Sequence, residues 1–238
     1  MLEQVLLAAE VNRHISFPPV NQLVYLMFRF MHPLQNCVFL RSVASLKDLP
    51  NDSIAEVAVA GRSNAGKSSA INTLANRNRL AHVSRTPGRT QLLNFFSLAP
   101  GKYLVDLPGY GYARAPLAVK SQWDGLLTPY LRDRPQLSGL LLIMDCRRPF
   151  TDIDARMIGW FSQSGKPVHI LLSKSDKLSR QQSTRTLVQV RDHLATLPGA
   201  FSAQLFSSLK KVGIADAERA LVNMLQVVDT QVTQAEQT

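Results

Sequence analysis

The chain has 238 residues, 45% of them apolar. That is enough for one α/β core, and no segment is repetitive or low in complexity. Lys and Arg (27) outnumber Asp and Glu (17), giving a formal net charge of +10 that favours polyanionic partners. Only two cysteines, Cys37 and Cys146, are present without a Cys/His cluster, which speaks against a disulfide framework or zinc site and fits a reducing compartment.

Residues 1–35 stand apart. Pro18-Pro19 breaks any helix there, and the apolar run from Leu23 to Phe28 stops at Arg29, well short of a membrane span. No small-residue cleavage pattern marks a secretory signal. Two readings stay open: an N-terminal extension that docks on the domain or a partner, or a start codon assigned too early, with Met27 or Met31 the true beginning. Residues 36–228 are expected to form the main domain and 229–238 a flexible tail.

Ile54 to Ala60 (I-A-E-V-A-V-A) reads as a buried strand and Lys67 to Ala75 as a helix with Ile71 and Leu74 at helical spacing. Between them lies Gly61-Arg62-Ser63-Asn64-Ala65-Gly66-Lys67-Ser68, the pattern G-x-x-x-x-G-K-S. Glycines allow a tight loop whose N–H groups point inward at phosphates, and the helix N-terminus adds to the anion site. Lys67 can reach the outer phosphates, and the Ser68 hydroxyl can hold a magnesium ion that bridges them.

Ser84 to Gln91 is polar and basic with Pro87 and Gly88, as a mobile switch segment should be. Thr86 and Thr90 both qualify chemically to complete the magnesium shell. Residues 92–98 and 102–106 flank Ala99-Pro100-Gly101 and read as a hairpin. Its second strand brings Asp106 of Asp106-Leu107-Pro108-Gly109 toward the metal, and Gly109 can offer its N–H to a terminal phosphate. Alone, D-x-P-G would be a turn; in order with the loop it is a switch hinge.

Alternation then continues: strand 139–145, helix near 152–164, strand 167–173, helix near 180–195, strand 200–205 and helix near 211–227. The expected fold is α/β, a mostly parallel six-stranded sheet with one antiparallel edge strand and helices on both faces. His169, inside a strand, reads as a core or edge residue. At the end of strand 167–173 stands Ser173-Lys174-Ser175-Asp176. A carboxylate at such a strand end can accept hydrogen bonds from the ring N–H and exocyclic amine of guanine, a donor pair that adenine lacks. A mispaired buried carboxylate costs on the order of a few kcal/mol, or roughly a hundredfold in discrimination. Lys174 can lie along the base with its aliphatic stem. Phe206-Ser207-Ser208, after another strand, is placed to meet the guanine carbonyl.

These strings together resemble the EngB (YihA/YsxC) family of bacterial ribosome-biogenesis GTPases, in the TrmE-Era-EngA-EngB-septin-like branch. The carrying residues are G-R-S-N-A-G-K-S-S (61–69), T-P-G-R-T-Q (86–91), N-F-F (94–96), D-L-P-G-Y-G-Y-A (106–113), S-K-S-D and F-S-S, spanning roughly residues 38–226. Ser173 stands where the family more often has Thr. The resemblance implies that Thr90, paired with Ser68, is the magnesium-binding switch threonine. It places Gly88, Arg89, Gln91 and Leu92 beside the nucleotide. It implies a cytoplasmic monomer that binds GTP and GDP, acts on the large ribosomal subunit and its rRNA, and is linked to cell division. The basic cluster Arg77, Arg79, Arg85, Arg89, Arg114, Arg132, Arg134, Arg147 and Arg148 suits that polyanion. The branch also implies that Asn64 can help hold potassium beside the phosphates.

Many GTPases place glutamine after D-x-x-G to orient the attacking water; here Tyr110 occupies that position. Slow intrinsic hydrolysis that needs a partner is therefore expected, with Lys67, Thr90 and Gly109 as the catalytic groups. A P-loop phosphotransferase and a non-hydrolysing nucleotide-dependent adaptor in cell division are the alternatives.

Overall fold

The computed structural model describes residues 33–81, 92–110 and 123–235, and the described residues belong to one compact unit that begins at Pro33. The sheet is built around a strand without a single exposed residue, as a strand covered on both faces must be. In chain order the strands are β1 (Val38–Val43), β2 (Ala55–Gly61), β3 (Leu93–Ala99), β4 (Lys102–Asp106), β5 (Leu137–Asp145), β6 (Val168–Ser173) and β7 (Phe201–Leu205). Their order in space is β1-β3-β4-β2-β5-β6-β7, so β2 is central. β2 pairs in parallel with β4 (Val57 opposite Leu104) and with β5 (Ala58 opposite Leu140), and β5, β6 and β7 continue in parallel. β3 is antiparallel to both β1 and β4.

The helices are α1 (Lys67–Leu74), α2 (Thr128–Asp133), α3 (Asp152–Phe161), α4 (Arg180–Ala195) and α5 (Ile214–Ala235). Alternate residues of the central strands face opposite sides. Ala58, Ala60, Leu140, Leu142 and Ile170 pack with Tyr130 of α2, Ile158 and Phe161 of α3, and Val190 of α4. Val57, Val59, Leu141, Ile143 and Leu171 pack with Ile71 and Leu74 of α1 and with Ala217 and Leu221 of α5. Two apolar layers, one on each face, therefore hold the sheet. Capping boxes start α3 (Thr151 with Asp154) and α4 (Ser179 with Gln182), each satisfying N–H groups that the helix itself leaves unpaired.

The α/β class, the mainly parallel sheet and the hairpin are as expected, with one strand more than six. The addition is β1, which pairs with β3, so the antiparallel strand stands second from the edge. Five of the six residues of β1 are exposed, Phe39 to 52%, so it lacks the alternation that announces a half-buried strand. α5 runs on to Ala235, past the expected end near residue 227. Both thiols are free and buried, and burial pushes Cys146 up to about 11. Among the described residues no helix is long and apolar enough to cross a membrane.

Candidate functional site

The chain passes from β2 to α1 at the switch point of the sheet, where β4 and β5, both later in the chain, flank β2 on opposite sides and a crevice opens at the carboxyl ends. Gly61 closes β2 against β5, and a Cβ there would stand 2.9 Å from the Ile143 carbonyl oxygen. Gly66 caps α1 with φ +99°, a conformation that only glycine adopts without strain. Asn64 also has positive φ, +63°, so the loop 61–68 curls tightly between strand and helix.

The end of β4 lies alongside this loop. Leu107 N–H donates to Val59 O (3.0 Å), and Ser63 N–H donates to Tyr110 O (3.0 Å). Asp106, 7% exposed, is salt-bridged through Oδ1 to Lys67 Nζ. Each charge thus has a partner that polar ligands can replace. Ser68 is the second residue of α1, next to Lys67, whose ammonium meets the Asp106 carboxylate at the helix N-terminus. Leu107 and Pro108 are buried, and Gly109 lies against the phosphate-type loop: a Cβ there would stand 3.7 Å from Ser63 N and 3.8 Å from Gly61 O, in ordinary van der Waals contact.

The loop after β6 is tied to the phosphate-type loop at two points. The Ser173 hydroxyl donates to Ala65 O (2.5 Å) and to Met144 O (3.0 Å). Lys174, with φ +57°, donates to Asn64 O (2.6 Å) and to Asp145 Oδ2 (3.1 Å). Ser175 is buried, and both its N–H and its hydroxyl donate to Phe206 O (3.2 and 3.0 Å). Asp176 accepts from the fully buried Ser207 hydroxyl at 2.5 Å. Ser207 in turn accepts from Lys210 N–H (3.0 Å), while Ser208 is partly exposed on the same turn. The three separate strings 61–68, 173–176 and 206–208 therefore form one continuous surface.

Of the sequence-predicted residues, Gly88, Arg89, Thr90 and Gln91 lie outside the described residues, as do Arg85, Thr86 and Arg114. Leu92 is partly exposed just before β3. Two carboxylates went unpredicted. Asp145, at the end of β5, takes Arg147 through both oxygens (2.9 and 2.7 Å) as well as Lys174. Burial alone would raise its carboxyl; the hydrogen bonds from Arg147 and Lys174 outweigh burial and hold it well below the usual range. Asp154 on α3 is the second, fully buried beneath Arg62 and Tyr110. A T-x-x-D string at 151–154 before an apolar helix was the available signal for it. A cleft of about 490 Å³ opens beside the loop, lined by residues 62–65 with Asp145, Arg147, Arg148 and Lys174.

A doubly covered parallel sheet, a G-x-x-x-x-G-K-S loop at its switch point, D-x-x-G laid against that loop and S-K-S-D bonded to it define a P-loop GTPase. Comparison with known proteins agrees. Residues 56–174 match the family model of the 50S ribosome-binding GTPases. The chain is 64% identical over 195 residues to a probable GTP-binding protein EngB of Dechloromonas aromatica, covering 81% of this chain and 89% of that one. It is 58% identical to its counterpart in Methylobacillus flagellatus (79% and 90% covered) and 53% to that of Neisseria gonorrhoeae (87% and 100%). The chain belongs to the EngB family of GTP-binding proteins. In fold it is similar to a crystal structure of a probable EngB (TM-score 0.57, 17% identity, 72% and 99% covered). It is also similar to a bacterial selenocysteine-specific elongation factor (0.53, 15%, 74% and 29%).

Proposed function

We propose that this protein is a GTP-driven switch in assembly of the large ribosomal subunit, with slow intrinsic hydrolysis that the subunit accelerates and a link to normal cell division and septation. The observation that carries this reading is the double tie of Ser173 and Lys174 to the carbonyls of Ala65 and Asn64. It fixes the distance between a phosphate cradle and a base reader, so one ligand carrying both parts is recognised as a unit. In the proposed complex the N–H groups of residues 61–68 surround the phosphates and Lys67 turns from Asp106 to the outer ones. Asp176 reads guanine, the stem of Lys174 lies along the base, and residues 206–208 meet its carbonyl.

The donors beside Lys67, the Ser68 hydroxyl and the Asp106 carboxylate, suit magnesium: a hard ion that takes few protein oxygens and fills its shell with phosphate oxygens and water. When bound, magnesium would supply positive charge against the outer phosphates, with the Ser68 hydroxyl and the Asp106 carboxylate holding it. Thr90 is the proposed further ligand, and residues 88–92 the adjoining switch. Asn64 is proposed to hold potassium; turnover in potassium should exceed that in sodium, and equal rates remove the role.

Residues 36–228 are proposed as the GTPase domain, acting as a cytoplasmic monomer; the compact unit that holds it begins at Pro33, and its last helix continues to Ala235. The description of the matched family model supports a ribosomal partner, and the net charge of +10 suits rRNA. The test is GTP turnover with and without purified large subunits, over a range of salt. Stimulation by the subunits, with binding that weakens steeply as salt rises, is expected. Turnover indifferent to the subunits would overturn the switch.

A further inference from the structure

Asp154 is fully buried on the first turn of α3. Its Oδ2 accepts from Thr151 N–H (3.1 Å) and Thr151 Oγ1 (2.7 Å), which already completes the helix cap. Two further groups face it. The Tyr110 hydroxyl donates to Oδ1 at 2.9 Å, and Arg62 Nε stands 3.3 Å from Oδ2 as an ion pair rather than an aligned hydrogen bond. One comes from the segment after D-L-P-G and the other from the phosphate loop. Burial, then the charge and hydrogen bonding of Asp154, raises the Tyr110 phenol far above its ordinary range, so the hydroxyl remains a donor.

Tyr110 is anchored three ways. Its ring is buried at 4% exposure, its hydroxyl is held by Asp154, and its carbonyl accepts Ser63 N–H at 3.0 Å. Gly109, one residue before, has no side chain to pin it and lies against the backbone of Gly61 and Ser63, where a Cβ would be only in ordinary van der Waals contact (3.7–3.8 Å); a glycine is the residue with most backbone freedom to lose. Its N–H direction is therefore set by what holds its neighbour.

We propose that Asp154 is a positioning residue for the terminal phosphate: through Tyr110 and Arg62 it fixes the Gly109 N–H against the phosphate loop and so favours GTP over GDP. This rests on the GTP reading above. It assigns Tyr110 a role other than that of the water-orienting glutamine whose place it takes. GDP has no third phosphate to meet Gly109, so the effect is confined to the triphosphate.

The experiment is calorimetry on the full chain with a non-hydrolysable GTP analogue and with GDP. Tyr110→Phe keeps the ring in its pocket and removes only the hydroxyl. Losing the hydroxyl anchor of its neighbour is expected to loosen the Gly109 backbone and weaken the GTP analogue by up to roughly tenfold while GDP changes less than about twofold. Asp154→Asn keeps one acceptor oxygen, which can serve the Thr151 N–H, turns an amide N–H toward the Tyr110 hydroxyl, which can then accept instead of donate, and removes the charge facing Arg62. It is expected to give a smaller loss, again selective for the analogue, and the double variant to fall short of the sum. Both nucleotides weakening equally, or neither, would overturn the inference and leave Asp154 a structural cap. Wild-type protein that binds neither nucleotide would overturn the GTP reading itself, and this inference with it.

Discussion

The two ends of the sheet bury charge in opposite ways. At the amino end Glu56, wholly buried on β2, accepts from the Tyr130 hydroxyl (2.9 Å) and from Arg134 Nε (3.0 Å) and its terminal nitrogen (2.6 Å). Arg134 also donates to Pro50 O, and Lys166 donates to Arg134 O, so the charges of the cluster are satisfied by protein groups. At the carboxyl end the charged residues Lys67, Asp106, Lys174 and Asp176 are paired too, but each lies on or beside a loop that opens onto the crevice. A closed cluster can only hold the fold together. An open one can exchange its partners for a ligand, and that difference separates scaffold from site on a single strand, β2, which begins at one and ends at the other.

Substitutions at the two ends should separate these roles. Lys67→Ala has the largest expected effect: nucleotide binding is lost, while the melting temperature without nucleotide moves little. Glu56→Ala should do the reverse, costing about 3 kcal/mol of stability because Arg134 is left without its partner, with nucleotide affinity of the folded fraction unchanged. Denaturant unfolding alongside calorimetry checks both. Asp176→Asn should leave the fold intact and lower the preference for guanine roughly a hundredfold, read as the ratio of GTP to ITP affinity; an unchanged ratio would remove Asp176 as the base reader.

The smallest effect concerns His169, which spans β6 and β7 through Ser202 (2.7 Å) and Gln204 (2.8 Å), while Gln204 reaches Gly213 O at the start of α5 (2.6 Å). Burial lowers its pKa, opposed by Gln204 and Asp216 and assisted by Arg191. The unfolded chain therefore takes up this proton first as pH falls. The contribution is fully present above the ordinary value of 6.5 and is lost as pH falls through and below it. Thermal melts at pH 7.5 and 5.5 should show a slope that His169→Gln reduces.

The same contrast explains what the sequence made legible. Loop 61–68 and the quartet 173–176 were readable because each is contiguous, and its chemistry follows from local spacing. Asp154 was not, since it meets Tyr110 across 44 positions, nor was Asp145, which meets Lys174 across 29. Their near partners, Arg147 for Asp145 and Thr151 for Asp154, form only an ordinary local pair and a helix cap, and the contacts that tie them to the site leave no local string. The Glu56 cluster was hidden for the same reason, Glu56 and Arg134 being 78 positions apart. β1 escaped because its exposed residues reflect an edge location, and period-two patterning requires one buried face.

The central claim is that a single rigid pocket recognises a triphosphate and a guanine together. Competition calorimetry with magnesium present tests it most directly: protein saturated with GDP is titrated with GTP and, separately, with ATP. The account predicts that GTP displaces GDP and that an equal concentration of ATP does not. Displacement by ATP as readily as by GTP would contradict it.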